Sequence, residues 1–277
     1  LAGSSAASDV YKRQVFQFSY SQKITTDISL SKIIDETSGL EIIDGQFVTH
    51  NDSGGDPALY YLDEKGKIVE TRKIAGVKNT DWEDITKDEE FLYVANMGNN
   101  YDTRKNLSIV KIPIQKSSNE NVEVINFSYP EQKKFKRIYR RSEYDAEALI
   151  SFEDKLLIFT KNKRKKITEI YSLPKNAGNY QAKKIGSLNT DSIVTGGDYD
   201  KATNTLALTS TIKFDQYYVL IITDFSLNNK NQKIDMYEIP IGKTQVEAIK
   251  IIDPTTFWIT SEDEKSSSAA RLMKFKL

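Results

Sequence analysis

The feature that most constrains this chain is an internal repeat of about 50 residues. Five segments each place an acidic residue between small or apolar neighbours, followed by a short polar turn and a strongly apolar strand. They read SGLEIIDGQFVTHND, DWEDITKDEEFLYVANM, DAEALISFEDKLLIFTKN, GGDYDKATNTLALTST and VEAIKIIDPTTFWITSE. Units of this size cannot bury an apolar face alone, so they are expected to stack against one another.

Each repeat continues with further runs that have the composition of strands. A third run follows in all five repeats, and a fourth run follows in the first four. β-Branched and aromatic residues fill these runs, and Gly, Pro, Asn and Asp bound them. No segment keeps a helical apolar period over three turns, so helices should be scarce. The pattern favours an all-β fold, a single β-propeller with four-stranded blades, over a β-sandwich or another kind of barrel.

The two ends of the chain indicate how the ring would close. The fifth repeat ends at Leu277 after three strands, and the segment VFQFSYSQKI alternates Phe16, Phe18 and Tyr20 ahead of the first repeat. We expect this N-terminal strand to supply the missing outer strand of the last blade, because closure hides open sheet edges. Five blades are favoured. Six stay open as an alternative, since the insertion KKFKRIYRRSEY could contain further strands.

Composition narrows the classes of function. The 277 residues carry no net charge, which argues against a general nucleic-acid binder. There is no cysteine and one histidine, so thiolate catalysis, Cys-ligated zinc and multi-His metal sites are excluded. No apolar run reaches the roughly 18 residues that span a bilayer. Residues 1–14, LAGSSAASDVYKRQ, resemble a non-native adapter leader, so the propeller domain is expected to span residues 15–277, as a monomer.

One acidic residue recurs at the matching position of each repeat. The innermost strand of a propeller blade lines the central channel, so symmetry should bring these side chains toward one axis. Their mutual repulsion requires a cation, a basic partner or raised pKa values, and Ca²⁺ is the cofactor that we expect. The alternative is that each acid only bonds to backbone amides of the neighbouring blade. The expected metal-binding residues are Glu41, Glu83, Glu147, Asp198 and Glu247.

Loops after the second strand of each blade should open beside one mouth of the channel. Acids, amides and bases concentrate there, which suits a polar or anionic small molecule, although ordinary turn chemistry explains them about as well. Two basic runs, 133–141 and 161–166, would attract an anion if they faced this mouth, but a solvated outer position is favoured for them. The candidate ligand-binding residues are Asn51, Asp52, Asp84, Asn96, Asn99, Arg104, Asp145 and Lys161.

The stretch HNDSGGDP resembles the nucleophile signature of trypsin-like serine proteases. Those enzymes bring a histidine base and a buried aspartate to the serine from distant segments. Here the single histidine, His50, enters the same turn as Ser53 and would project from the sheet. We therefore interpret the stretch as a glycine turn, with Asn51 and Asp52 placed near the channel mouth.

The motifs NDSGGDPALYYLDEKG, DWEDI, MGNN followed by Arg, and DAEAL resemble those of bacterial extracytoplasmic β-propellers related to phytase- and esterase-like propeller proteins. The resemblance covers about residues 37–175 well and the last two blades loosely. It implies an extracytoplasmic or secreted propeller, with calcium-dependent hydrolysis of phosphoesters or esters as an alternative to ligand binding alone. A third alternative is a protein-interaction scaffold without a small-molecule site. Related sequences carry Asp in place of Asn96 and Asn99, and amides at these positions weaken cation binding.

Overall fold

The computed structural model consists almost entirely of strands and turns. It describes residues 22–116, 121–138, 141–229, 232–242, 244–263 and 269–277. The only helical element in these ranges is one 3-10 turn, Lys32–Ile34, as the absence of helical periodicity predicted. None of the described elements is a helix long and apolar enough to cross a membrane. The expected leader, residues 1–14, lies outside the described residues.

The first strand closes the ring. β1 (Lys23–Ser29) pairs antiparallel with the last strand of the chain, Arg271–Lys276, so closure by an N-terminal outer strand is confirmed. Within this strand, Ile24 and Ile28 are half-buried against the sheet and alternate with exposed residues. The residues on which the prediction rested lie outside the described part: Phe16, Phe18 and Tyr20.

Five sheets form the blades of the propeller, which confirms the predicted blade count. Blade 1 contains β2 (Thr37–Ile43), β3 (Gln46–Asn51), β4 (Ala58–Leu62) and β5 (Ile68–Lys73). Blade 2 contains β6 (Trp82–Lys87), β7 (Phe91–Asn96), β8 (Leu107–Pro113) and β9 (Glu123–Ser128). Blade 3 begins with β10 (Ala146–Phe152), β11 (Lys155–Thr160) and β12 (Thr168–Pro174).

One short strand crosses from blade 3 to blade 2. β13 (Gly178–Gln181) pairs parallel with β9, while β14 (Lys183–Leu188) completes blade 3. The predicted single run YQAKKIGSL is therefore divided between two sheets. The division falls at Ala182, which is fully buried and donates its backbone N–H to the Ser128 carbonyl at 2.9 Å.

The last two blades complete the ring. Blade 4 contains β15 (Ile193–Asp200), β16 (Thr205–Thr211), β17 (Tyr217–Ile222) and β18 (Asp235–Glu238). Blade 5 contains β19 (Val246–Asp253), β20 (Thr256–Ser261), β21 (Arg271–Lys276) and, on its outer edge, β1. The inner strands β2, β6, β10, β15 and β19 contact one another around the channel.

The apolar core is divided among the five interfaces between adjacent blades. Each interface buries a separate apolar cluster. Trp82 lies fully buried between blades 1 and 2, edge-on to the His50 ring at 5.5 Å between centroids. Its side chain therefore points between the blades rather than into the channel. The alternating apolar residues of every strand thus hold the blades together, and the inner strands are left to present polar groups at the axis.

Candidate metal centre

Three of the five repeated acids lie at one level of the channel, near the starts of the inner strands. Glu83, Glu147 and Glu247 each occupy a β-bulge, where one extra residue interrupts the pairing of β6, β10 and β19 with their neighbours. A bulge re-aims the side chain that it carries. The first two of these carboxyl groups lie together, and the third faces them across the mouth.

The other two repeated acids lie deeper. The bulge of β15 carries Thr195, and Asp198 pairs with Ala207 farther along the strand. Glu41 likewise lies beyond the irregularity in β2, opposite Val48. The prediction that all five acids are equivalent is therefore wrong, because an alignment of the repeats does not register the extra residue of a bulge.

Glu41 and Asp198 share one counter-ion, a lysine from blade 5. The Lys250 ammonium donates to Glu41 and to Asp198, each at 2.9 Å. The Ile251 backbone N–H also donates to Asp198 at 2.8 Å. Burial alone would lower the pKa of Lys250, but the two carboxylates outweigh it and raise that pKa. The predicted metal ligands Glu41 and Asp198 are thus already paired with a side chain of the protein, the Lys250 ammonium.

Asp84 belongs to this lower level and not to the mouth where it was predicted. It accepts hydrogen bonds from the backbone N–H groups of Ile85 and Leu149, both at 2.8 Å. The bond to Leu149 joins blade 2 to blade 3, as the bond from Ile251 to Asp198 joins blade 4 to blade 5. Asp84 therefore has the alternative role considered for the inner acids, which is to tie adjacent blades together through a backbone amide.

Five carboxyl groups converge at the upper mouth, and we call them the mouth cluster. Oxygens of Asp52, Asp81 and Glu83 lie within 4.8 Å of one another, and so do oxygens of Glu83, Asp145 and Glu147. Glu83 is shared by the two groups and therefore lies at the centre. Carboxylate oxygens at this spacing are the ligands that hard divalent cations prefer.

Bases near the mouth cluster compensate only part of its charge. Lys161 pairs with Glu147, Lys163 contacts Asp145 at 2.9 Å, and Arg104 lies 3.7 Å from Asp81. Two further acids, Glu247 and Glu262, add negative potential at the same mouth. Seven carboxyl groups therefore face three basic side chains.

Several oxygens of the mouth cluster have no donor. Glu83 is 5% exposed, and no hydrogen bond or ion pair reaches its carboxyl group within the part of the chain that the structure describes. One carboxyl oxygen of Glu147 and one of Asp52 are also buried without a partner. A buried carboxylate without compensation is strongly unfavourable, so these oxygens require a proton or a cation.

The pKa values of the acids at the mouth reflect this excess of carboxyl groups over bases. Burial, with repulsion from neighbouring carboxylates, raises the pKa of Asp52 to about 8 and that of Glu83 well above its ordinary value. Burial also raises the pKa of Glu147 to about 7, although Lys161 opposes the shift. Burial and the nearby Glu147 raise the pKa of Glu262 to about 7. Without a bound cation, the mouth cluster is partly protonated near neutral pH.

The loop after β7 is built around this cluster. A Cβ atom on Gly98 would overlap the carboxyl groups of Glu83 and Asp81, so only glycine leaves room for them. Arg104 fixes the loop by donating to the Gly98 carbonyl at 2.6 Å and to the Asn96 side chain at 3.1 Å. The sequence MGNN followed by Arg thus encodes a support for two carboxylates.

The predicted amide ligands take structural roles. Asn96 accepts from the Asp81 backbone N–H at 3.2 Å, and Asn99 accepts from the Arg104 backbone N–H at 2.9 Å. Asn51 differs, because its side-chain oxygen is buried without a partner while its nitrogen donates to the Ile33 carbonyl at 2.8 Å. Of the three amides, Asn51 alone keeps a free oxygen beside the mouth.

The two basic runs differ in position. Lys161 and Lys163 of the second run reach into the mouth cluster and pair with its acids. In the first run, Arg137 stacks on the exposed Tyr101 ring at 4.2 Å from its centroid. The described part of the insertion, residues 133–138 and 141–144, contains no strand, so it adds no sixth blade.

His50 and Ser53 do not form a catalytic pair. Burial lowers the pKa of His50 to about 4, so its ring is neutral, and its Nδ1 lies 3.1 Å from the Asn51 carbonyl. Ser53 is exposed in the turn after β3. The residue of this stretch that contributes to the mouth cluster is Asp52.

Two contributors to the mouth were not selected from the sequence as candidate ligands: Asp81 and Lys163. Asp81 precedes Glu83 by two residues, as Asp145 precedes Glu147, so the shared pattern Asp-x-Glu in DWE and DAE was the available signal. Glu262 follows its second strand directly, as Asp52 and Lys161 follow theirs.

Comparison with known proteins supports the fold alone. No family model and no curated protein matches the sequence. The PQQ-bound aldose sugar dehydrogenase of Streptomyces coelicolor is 10% identical with a TM-score of 0.54, covering 92% of this chain and 98% of its own. An exo-β-1,3-galactanase of Phanerochaete chrysosporium is 9% identical with a TM-score of 0.54, over 92% of this chain and 64% of its own. The resemblance to phytase- and esterase-like propellers stays a prediction.

Proposed function

We propose that this propeller binds a divalent cation, most favourably Ca²⁺, in the mouth cluster and recognises a polar or anionic ligand beside it. The observation that carries the proposal is Glu83, a residue only 5% exposed, whose carboxyl group has no donor among the described residues and lies at the centre of four further carboxyl groups. Ca²⁺ accepts six to eight oxygens in flexible geometry, whereas Mg²⁺ demands a regular octahedron and retains water. A cluster of five acids from three loops and two bulges suits the larger ion.

Calcium titration followed by thermal melting and calorimetry tests the proposal. An ion that binds only the folded state at 100 times its Kd stabilises by about 2.7 kcal/mol, which raises the Tm by about 5–10 °C for a chain of this size. The double variant Glu83→Gln, Glu147→Gln should abolish this rise, because it removes two of the five carboxylates of the mouth cluster.

The matched control is Glu169→Gln. Glu169 is also buried but pairs with Lys184 on the outer strands of blade 3, away from the channel. This variant should lower the stability in EGTA and calcium alike and leave the calcium-induced rise intact. A wild-type Tm that responds to neither Ca²⁺ nor Mg²⁺ would rule out the cation site.

A second candidate function, metal-dependent hydrolysis of phosphoesters or esters, is favoured by a cleft of about 650 Å³ that opens at Asn100 and Lys163, directly beside the mouth cluster. A bound ion would supply Lewis-acid activation of water and of the ester. Calcium-dependent turnover of 4-nitrophenyl phosphate or 4-nitrophenyl acetate, absent in the Glu83→Gln, Glu147→Gln variant, would establish hydrolysis. Calcium binding without turnover would leave the binding function.

A further inference from the structure

Blade 4 interrupts the polar character of the mouth. The residue that follows the second strand is Asp52 in blade 1, Lys161 in blade 3 and Glu262 in blade 5, whereas it is apolar in blade 2, the buried Met97, and in blade 4, the half-buried Ile212. The bulge that carries Glu in three blades carries Thr195 here. The mouth is therefore acidic on one side and apolar on the other.

This apolar side forms one wall of the cleft beside the mouth cluster. Ile193, Ile212 and Phe214 line it from blade 4, and Asn100, Lys163 and Lys166 line it from blades 2 and 3. Lys163 links the cleft to the cluster, since its ammonium lies 2.7 Å from Asn100 and 2.9 Å from Asp145. A molecule in the cleft would thus contact apolar side chains at one end and lie close to the cation site at the other.

Phe214 is held in an unfavourable position at this wall. Its φ is 60°, a left-handed conformation that costs a bulky residue energy, and its side chain remains 45% exposed. Thr211 fixes the conformation by accepting from the Phe214 backbone N–H at 2.8 Å. Strain that exposes an aromatic ring to a cleft is typical of a binding site, because burial of the ring in the core would have been more stable.

The charge on the opposite wall is positive. Lys166 is exposed, and among the described residues no acid or carbonyl contacts its ammonium. Lys163, by contrast, is already paired with Asp145. Lys166 is therefore the ammonium that remains available to an anionic group entering the cleft.

We propose that the cleft binds an amphiphilic anion, a small molecule with an apolar ring packed on Phe214 and Ile212 and a carboxylate or phosphate directed to Lys166 and the mouth cation. This rests on the proposed function, because the mouth cluster repels an anion unless a cation is bound there. The cleft volume of about 650 Å³ lies in the range of small-molecule sites.

Calorimetry with matched probes tests the proposal. The probes are phenyl phosphate and phenylacetate, their ringless counterparts methyl phosphate and acetate, and the uncharged benzyl alcohol. In calcium, at least one phenyl anion should bind about tenfold or more tightly than its ringless counterpart and than benzyl alcohol, as expected for burial of a ring beside a charge. In EGTA the same anion should lose most of its affinity.

Variants separate ligand binding from folding. Phe214→Gly should lower the affinity for the phenyl anion to that of the ringless probe without lowering the Tm, since glycine adopts a φ of 60° freely. Lys166→Met should weaken every anionic probe. Neither variant should change calcium affinity, and the exposed controls Ile252→Ala and Lys213→Met should change neither property.

The outcomes distinguish this inference from the proposed function. Calcium binding with equal affinities for phenyl and ringless probes, or with affinities that Phe214→Gly leaves unchanged, overturns the inference and leaves the cation site standing. Absence of calcium binding overturns the proposed function and this inference together. Preference for only one of the two phenyl anions supports the inference and identifies the anionic group.

Discussion

At the lower level of the channel, Lys250 lies between Glu41 and Asp198, whereas at the upper level Glu83 has no donor within the described residues. Both levels collect carboxyl groups from the inner strands of several blades. At the lower level one ammonium donates to two of the three acids, and the third, Asp84, accepts hydrogen bonds from two backbone N–H groups. At the upper level the central acid, Glu83, has neither kind of partner among the described residues.

This contrast between the two levels shows that a repeated acid in a propeller channel does not by itself mark a metal site. What separates the two levels is whether the chain supplies its own cation. At the lower level each acid also accepts a hydrogen bond from a backbone N–H, for example Glu41 from Ile42 at 3.1 Å and Asp198 from Ile251 at 2.8 Å. At the upper level Asp145 accepts from the Asn99 backbone N–H at 2.7 Å, but no backbone N–H reaches the Glu83 carboxyl group among the described residues, and Gly98 leaves space for that group.

Substitution of Lys250 tests how far the acids of the lower level depend on their counter-ion. Lys250→Met should destabilise the protein by about 3–5 kcal/mol, because it leaves Glu41 and Asp198 buried without their counter-ion. Denaturant unfolding measures the loss. The exposed Lys276→Met, on the outer part of blade 5, serves as the control and should change stability by less than about 0.5 kcal/mol.

The calcium-induced rise in Tm should survive in Lys250→Met, since the two levels use separate acids. Loss of the calcium response in this variant would show that the levels act as one electrostatic unit. A destabilisation below about 1 kcal/mol would show that the lower acids are protonated in the folded state and do not depend on the lysine.

At the upper level, the thermal stability of the protein should depend on pH. The pKa of Asp52 is raised to about 8 and those of Glu147 and Glu262 to about 7, above the values of 3.8 and 4.5 for Asp and Glu in the unfolded chain. A carboxyl group whose pKa is raised by folding favours the folded state at low pH, and this stability is lost as pH rises through the folded pKa. In EGTA the Tm should therefore fall between about pH 5 and pH 8.

The size of the pH effect follows from linkage. If the mouth cluster holds one proton more than the unfolded chain, stability falls by about 2 kcal/mol between about pH 5.5 and 7. In saturating calcium the fall should be much smaller, because the ion binds the ionised form. The Glu83→Gln, Glu147→Gln variant should flatten the EGTA profile. A wild-type Tm in EGTA that rises over this interval would contradict the raised pKa values.

The sequence was sufficient for the architecture because each blade repeats the same strand pattern. Alternating apolar residues predicted the strands, and the incomplete fifth repeat predicted closure by the N-terminal strand, now β1. The division of the channel into two levels could not be predicted, because it depends on bulges of one residue. Lys250 could not be recognised as the internal cation, since it reaches acids 209 and 52 residues away in sequence.

The candidate site shows the same limit. Glu83, Glu147 and Asp52 were selected from the repeat and do come together at the mouth. Asp84 was selected because it neighbours Glu83 in sequence, yet successive residues of a strand point to opposite sides, and Asp84 lies at the lower level. Residue type and spacing therefore predicted that the mouth is acidic, but they did not predict which residues form it.

Substitution of Gly98 tests the loop that supports the carboxyl groups of the upper level. Gly98→Ala places a methyl group against the carboxyl groups of Glu83 and Asp81 and should lower calcium affinity by about tenfold, or about 1.4 kcal/mol. Gly98 does not adopt a left-handed φ, so alanine adds no backbone strain, and the effect arises from the displaced carboxylates alone. Gly242→Ala is the control, since no atom lies within 4 Å of the position of its added methyl group. Calcium affinity that is equal in both variants would show that the ion is not held where Glu83 and Asp81 meet, and would move the search to the opposite side of the mouth, at Glu247 and Glu262.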